Sequence, residues 1–178
     1  MGLRAGARAP ARRVALLASV VLAGCASLMP PAPPPLSGRL SVQVAAHDAQ
    51  PARGLSAAFD LRGDARAGEL RLSSVLGPQI AAARWSPGRV TLSTGDGERD
   101  FPDLDSLARE VLGEALPLQA LPDWLQGRPW SGAPSTALAD GFEQLGWTLS
   151  LARWAEGFVT VTRRAAPATT LRARLERP

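Results

Sequence analysis

The chain has 178 residues, 46% of them apolar and 20% charged, with a formal net charge of +4 and a single cysteine. The surplus charge suggests nucleic acid, but Arg4, Arg8, Arg12 and Arg13 all precede Cys25 with no acidic residue among them, so the basic residues beyond Cys25 only balance the 16 acidic ones. Those arginines are scattered rather than clustered, and no nucleic-acid partner is expected. His47 is the one histidine, set between Ala46 and Asp48 in an expected loop; the count excludes a multi-histidine metal centre, and no imidazole triad is expected.

The first element follows those arginines. Val14 to Ala23 is apolar apart from Ser19, too short to span a bilayer, which takes about 20 residues, and built as a secretion signal. It ends in small residues directly before Cys25. The order Leu22, Ala23, Gly24, Cys25 resembles the lipobox of bacterial lipoproteins, in which the thiol receives a diacylglyceryl group and the chain is cut before the cysteine. An ordinary signal with a chance cysteine would leave an unpaired thiol in an oxidising compartment, a liability that acylation removes. Ala26 rather than Asp follows the cysteine, and by resemblance to enterobacterial sorting this favours the outer membrane. Residues 1–24 are therefore expected to be a lipoprotein signal peptide and 25–36 a lipidated tether, stiffened by MPPAPPP at 29–35. No cofactor is implied.

From Ser37 the pattern has period two, the mark of half-buried strands. Leu40, Val42 and Val44 alternate with polar residues, and so do Leu55, Ala57, Phe59 and Leu61. Leu70 and Leu72, Gln79 to Trp85, then Val90 and Leu92 give three more strands, with turns between them. Leu104, Leu107, Ala108, Val111, Leu112 and Ala115 then form one stripe of a helix started by Pro102 and Asp103. A second helical piece runs from Pro117 to Gly127, and Arg128 to Ala139 reads as loop. Period two returns at Trp147 to Leu151, Phe158 to Thr162 and Leu171 to Leu175. Strands, helices, then strands is an α+β plan, with the helices over one curved face of the sheet.

Catalytic chemistry is not legible. Asp96, Glu98, Asp100, Asp103 and Asp105 lack calcium-loop spacing and lie in a turn and at a helix start, where acids are ordinary. Trp85, Trp124, Trp130, Trp147 and Trp154 read as core fillers.

The lipobox, GRLSVQV at 38–44, LRLSSVLGPQIAAARW at 70–85 and above all PLQALPDWLQGRP at 117–129 together resemble the LolB family of outer-membrane lipoprotein receptors, from Ser37 to about Leu151. The resemblance implies an incomplete, half-open antiparallel β-barrel covered by a few short helices, over 37–178. Its hollow interior would take up the acyl chains of lipoproteins brought by a soluble LolA-like periplasmic carrier and pass them to outer-membrane lipid, without enzymatic chemistry and as a monomer. The inward faces offer Leu40, Val42, Phe59, Leu70, Leu72, Ile80, Val90, Leu92, Leu107, Val111, Leu121 and Trp124 as acyl-cavity lining. An ordinary packed core has the same composition. In the loop Ser74 to Pro78, Leu76 matches the family's exposed membrane-transfer leucine. The short proline spacer stands where the family has a helix, and the short stretch after Trp154 suggests fewer final strands. A structural or assembly lipoprotein that binds a protein partner and has no acyl cavity is the alternative.

Overall fold

The computed structural model describes residues 35–113 and 116–176. The expected signal peptide, Cys25 and nearly all of the expected tether lie outside the described residues, as does Ala115 at the expected end of the first helix. The elements described below and the core all fall within one compact unit, Ala32–Pro178.

Alternation of apolar and polar side chains produces β1 (Leu36–Val44), β2 (Arg53–Gly63), β3 (Gly68–Ser73), β4 (Gln79–Ser86), β5 (Arg89–Thr94) and β6 (Gly97–Phe101), a meander of neighbours in sequence. A second meander comprises β7 (Ser135–Leu138), β8 (Gly141–Gln144), β9 (Trp147–Ser150), β10 (Phe158–Arg163) and β11 (Thr169–Leu175). The two are joined because β1 pairs antiparallel with β11, from Gly38 opposite Leu175 to Val44 opposite Thr169. The result is one 11-stranded antiparallel sheet with β6 and β7 as its free edges. The edges do not pair, so the barrel stays open, as expected.

Three of these strands, β6, β7 and β8, are absent from the period-two reading. β6 is GERDF, with no apolar alternation to detect, and is held by register to β5 from Val90 opposite Phe101 to Thr94 opposite Gly97. β7 is exposed at every position and lies inside the stretch expected to be loop. The short segment after Trp154 still supplies two full strands, β10 and β11.

The chain passes from one free edge to the other through residues 102–134, and this passage carries the helices. α1 (Leu104–Leu112) is capped by Asp103, whose side chain accepts from the Ser106 N–H at 2.6 Å. It ends at Gly113, left-handed at φ 76, short of the expected Ala115. A 3-10 turn at Leu118–Ala120 leads straight into α2 (Leu121–Trp124), with Pro122 in its first turn. Leu104, Leu107, Leu116, Leu121, Trp124 and Leu125 join the inward side chains of the sheet in one apolar cluster. Each fully buried side chain of this kind contributes about 1.5–3 kcal/mol, so this passage is a structural part of the core as well as a cover over it.

Candidate functional site

Two regions of the molecule could engage a ligand: the apolar wall inside the curved sheet, and the loop that projects between β3 and β4. The wall is built by register. Phe59 stands opposite Leu72, Leu72 opposite Ala81, Leu61 opposite Leu70, Leu70 opposite Ala83, and Ala83 opposite Leu92. On the other meander, Leu171 lies between Val42 and Val161, and Val161 faces Leu149.

Of the residues expected to line a cavity, Leu40, Val42, Phe59, Val90, Leu92, Leu107, Leu121 and Trp124 are buried in the common core, and Leu70 and Leu72 are half-buried against it. Ile80 and Val111 lie elsewhere. Between Leu72 and Ser73 the register with β4 shifts, Leu72 facing Ala81 and Ser73 facing Gln79. This irregularity leaves Ile80 unpaired and 39% exposed, on the same side of the strand as Arg84. Val111 shares the helical face of Leu104 and Leu107, yet it is 44% exposed, while Leu104, Leu107, Ala108 and, in part, Leu112 make the contacts of α1 with the core.

The interior is filled by the passage between the sheet edges. Trp124 has no exposed surface, and Leu116, Leu121 and Leu125 are nearly as enclosed. Trp124 meets Trp147 of β9 with ring centroids 6.4 Å apart. A polar hub fixes this plug: Gln144 on β8, only 2% exposed, accepts from Trp124 Nε1 at 2.8 Å and from the Trp130 N–H at 2.9 Å. Its amide nitrogen donates to the carbonyls of Trp130 and Ala133, both at 2.7 Å. Gln144 escaped sequence reasoning; a glutamine at an inward position of a strand is its only signal. Gly127 closes the α2 turn at φ +73, where a Cβ would come within 3.2 Å of the Trp154 ring.

The wall is less completely covered toward the β3–β4 loop, where Leu72 and Ala81 are half-buried. The loop is pinned at its base, the Ser74 N–H donating to Pro78 O at 2.9 Å and the Gly77 N–H to Ser74 O at 3.0 Å. Leu76 N–H also donates to Ser74 Oγ at 3.3 Å. These bonds hold the turn together, and two of its apolar side chains are left outside: Val75 is 73% exposed and Leu76 89%. The other face of the sheet beside this loop holds a cleft of about 510 Å³, and a second, of about 570 Å³, lies between His47, Arg53 and Glu110. Among the described residues no group of three or more His, Cys, Asp or Glu could hold a metal ion. The expected acidic group has ordinary duties, Asp103 capping α1 and Asp100 accepting from Thr91 Oγ1 at 2.7 Å.

An open antiparallel half-barrel, plugged by a helical passage between its two edges and bearing an exposed apolar loop, is the class of protein these observations define. Residues 35–174 match the family described as outer membrane lipoprotein LolB. Relatives named outer-membrane lipoprotein LolB include one from Chromobacterium violaceum, 38% identical over 82% of this chain and 84% of its own. Another, from Cupriavidus metallidurans, is 30% identical over 93% of this chain and 87% of its own, and a third, from Bordetella petrii, is 34% identical over 75% and 74%. The chain belongs to the LolB family.

Proposed function

We propose that this protein is an outer-membrane lipoprotein receptor: it accepts acylated lipoproteins from a LolA-like periplasmic carrier against its apolar inner wall and delivers them to the outer membrane. Cys25 supplies its own lipid anchor, the domain works as a monomer, and no covalent chemistry on the cargo is involved. The observation that carries this reading is the pairing of an incompletely closed apolar wall with an exposed apolar loop pinned at its base. An exposed leucine at such a tip contributes nothing to folding, whereas moving it into lipid is favourable by about 1.5–3 kcal/mol.

Because Leu116, Leu121, Trp124 and Leu125 occupy the interior, acyl chains enter only as the helical passage gives way. Leu40, Val42, Phe59, Leu70, Leu72, Val90, Leu92, Leu107, Leu121 and Trp124 then form the lining, and the half-buried Leu72 and Ala81 mark where entry begins. The fully buried interior also favours a second reading, a structural lipoprotein with a solid core that contacts a protein partner. A fluorescent fatty-acyl probe separates the two. A receptor takes it up with the negative heat-capacity change of apolar burial, and a solid domain does not. For the loop, Leu76→Glu is expected to leave cargo capture intact and block delivery to liposomes. Unchanged delivery would remove Leu76 from the transfer step.

A further inference from the structure

The outer face of the sheet, away from the plug, carries a groove that the receptor reading does not use. Its floor is made of two cross-strand rows. In one, Phe158 stands opposite Arg174, Arg174 opposite Arg39, and Arg39 opposite Ala58. In the other, Ser150 faces Thr160, Thr160 faces Arg172, Arg172 faces Ser41, and Ser41 faces Ser56. Arg153, between β9 and β10, and Val75 of the apolar loop also line it.

Two features mark this groove as an anion site rather than a solvated face. Arg39 and Arg174 are directly opposite each other on adjacent strands, a placement that like charges disfavour. No carboxylate lines the groove. The nearest acids on this face are one row away and engaged: Asp60, opposite Ser37, holds Arg62 at 2.8 Å, and Glu176 accepts from Ser37 Oγ at 3.3 Å. Glu156 is paired with Arg153. Arg153 and Arg174 both lie over the Phe158 ring, at 4.1 and 5.5 Å from its centroid. Among the described residues Arg39 and Arg172 have no acidic partner within ion-pair distance. Guanidinium forks flanked by the hydroxyls of Ser41, Ser56 and Thr160 suit phosphate oxygens.

We infer that this groove binds the phosphate head groups of phospholipids at the membrane that the Val75–Leu76 tip enters. The shared rim is what selects lipid as the occupant: Val75 lines the groove and, next to Leu76, is also one of the exposed apolar side chains of the tip. A surface that touches acyl chains through one and head groups through the other sits at the bilayer boundary. Apolar insertion and basic contacts reinforce each other there, as in other two-signal membrane attachments. The inference rests on the loop's membrane role in the receptor reading, and it adds the orientation in which the body lies on the bilayer.

The test uses residues 26–178, which retain the tether and the whole compact unit but lack the acylated cysteine, sedimented with vesicles of phosphatidylethanolamine alone or mixed with phosphatidylglycerol. The parent chain is expected to prefer the anionic mixture, with binding that weakens as salt rises. Replacing Arg39, Arg172 and Arg174 together by Gln should weaken that binding by about tenfold or more. A control with the same charge loss elsewhere, Arg66, Arg89 and Arg109→Gln, should bind like the parent. Equal loss in both variants, or none in the groove variant, overturns the inference. So does loss of binding to the periplasmic carrier with vesicle binding unchanged, which would make the groove a protein-docking face. Competition by millimolar inorganic phosphate as effective as that by vesicles would reduce the site to one for free anions and overturn the membrane assignment. Circular dichroism verifies the fold of each variant. Acyl-probe uptake, measured in parallel, is unaffected by the groove variant if the inference holds, so failure of the groove and failure of the receptor reading give different results.

Discussion

Trp124 and Gln144 are joined by a buried 2.8 Å hydrogen bond that ties the helical passage to the inner face of β8. With the contacts of Gln144 to Trp130 and Ala133 it forms a four-bond hub. Gln144→Leu keeps the volume and strands those partners. A buried polar group left without its bond costs about 1–3 kcal/mol, so a loss of about 2–4 kcal/mol is expected from urea unfolding. Gln144→Glu retains the acceptor but loses the donor and buries a charge, and should be worse at neutral pH than at mild acidity. A loss below about 1 kcal/mol for the leucine variant would mean the hub does not hold the plug.

Trp124→Ala separates stability from capacity. Removing a fully buried tryptophan costs about 3–5 kcal/mol, yet an apolar hollow left in its place stays dry and accepts apolar ligands. If the space occupied by Trp124 is where acyl chains go, the alanine variant binds a fatty-acyl probe more tightly than the parent while unfolding at lower urea. Weaker probe binding at unchanged fold would place the acyl path elsewhere.

The eight strands read from period two were legible because apolar side chains recur on one face: Leu40, Val42 and Val44 point inward and Arg39, Ser41 and Gln43 outward, as alternation requires. β6 and β7 are edge strands with little to bury, so their pairing comes from neighbours rather than from their own pattern. The start of α1 was legible in Asp103. Its stop, Gly113, was hidden by an apolar stripe that continues past it to Ala115. Alternation along β4 already sets Ile80 on the Arg84 side; what could not be read is the register shift that leaves it unpaired, which depends on how two strands meet and not on either sequence alone. The same holds for the groove: Arg39 is far along the chain from Arg172 and Arg174, and only the β1–β11 register makes it their neighbour.

Acid should loosen α1. The Asp103 carboxyl is held below its ordinary range, chiefly by the hydrogen bond from the Ser106 backbone N–H, with Ser106's side chain and Arg109 adding to it. A carboxylate whose folded pKa is depressed stabilises the fold above its unfolded pKa and loses that contribution as pH falls through the folded value. The window therefore opens below about pH 4. Asp103→Asn, which can still cap, should flatten this part of the stability curve, whereas Asp103→Ala should lower stability across the neutral range as well. Parent and asparagine variant with the same acid limb in thermal melts would assign the limb to other carboxylates.

Arg39 should cost stability in the absence of an anion, because its neighbour across the β1–β11 ladder is Arg174. Like charges directly opposite on adjacent strands destabilise by about 0.2–1 kcal/mol. Arg39→Thr replaces one with a side chain suited to a strand, and it is expected to raise stability by about 0.5 kcal/mol at low salt. The gain should shrink as salt screens the pair, and it should disappear when anionic vesicles fill the groove of the parent chain and stabilise it instead. Arg66→Thr, in the turn between β2 and β3 and without an opposing arginine, should give no such gain. Melts in which Arg39→Thr is no more stable than the parent at low salt would show that the two guanidinium groups already avoid each other, and the drive to recruit an anion between them would be gone.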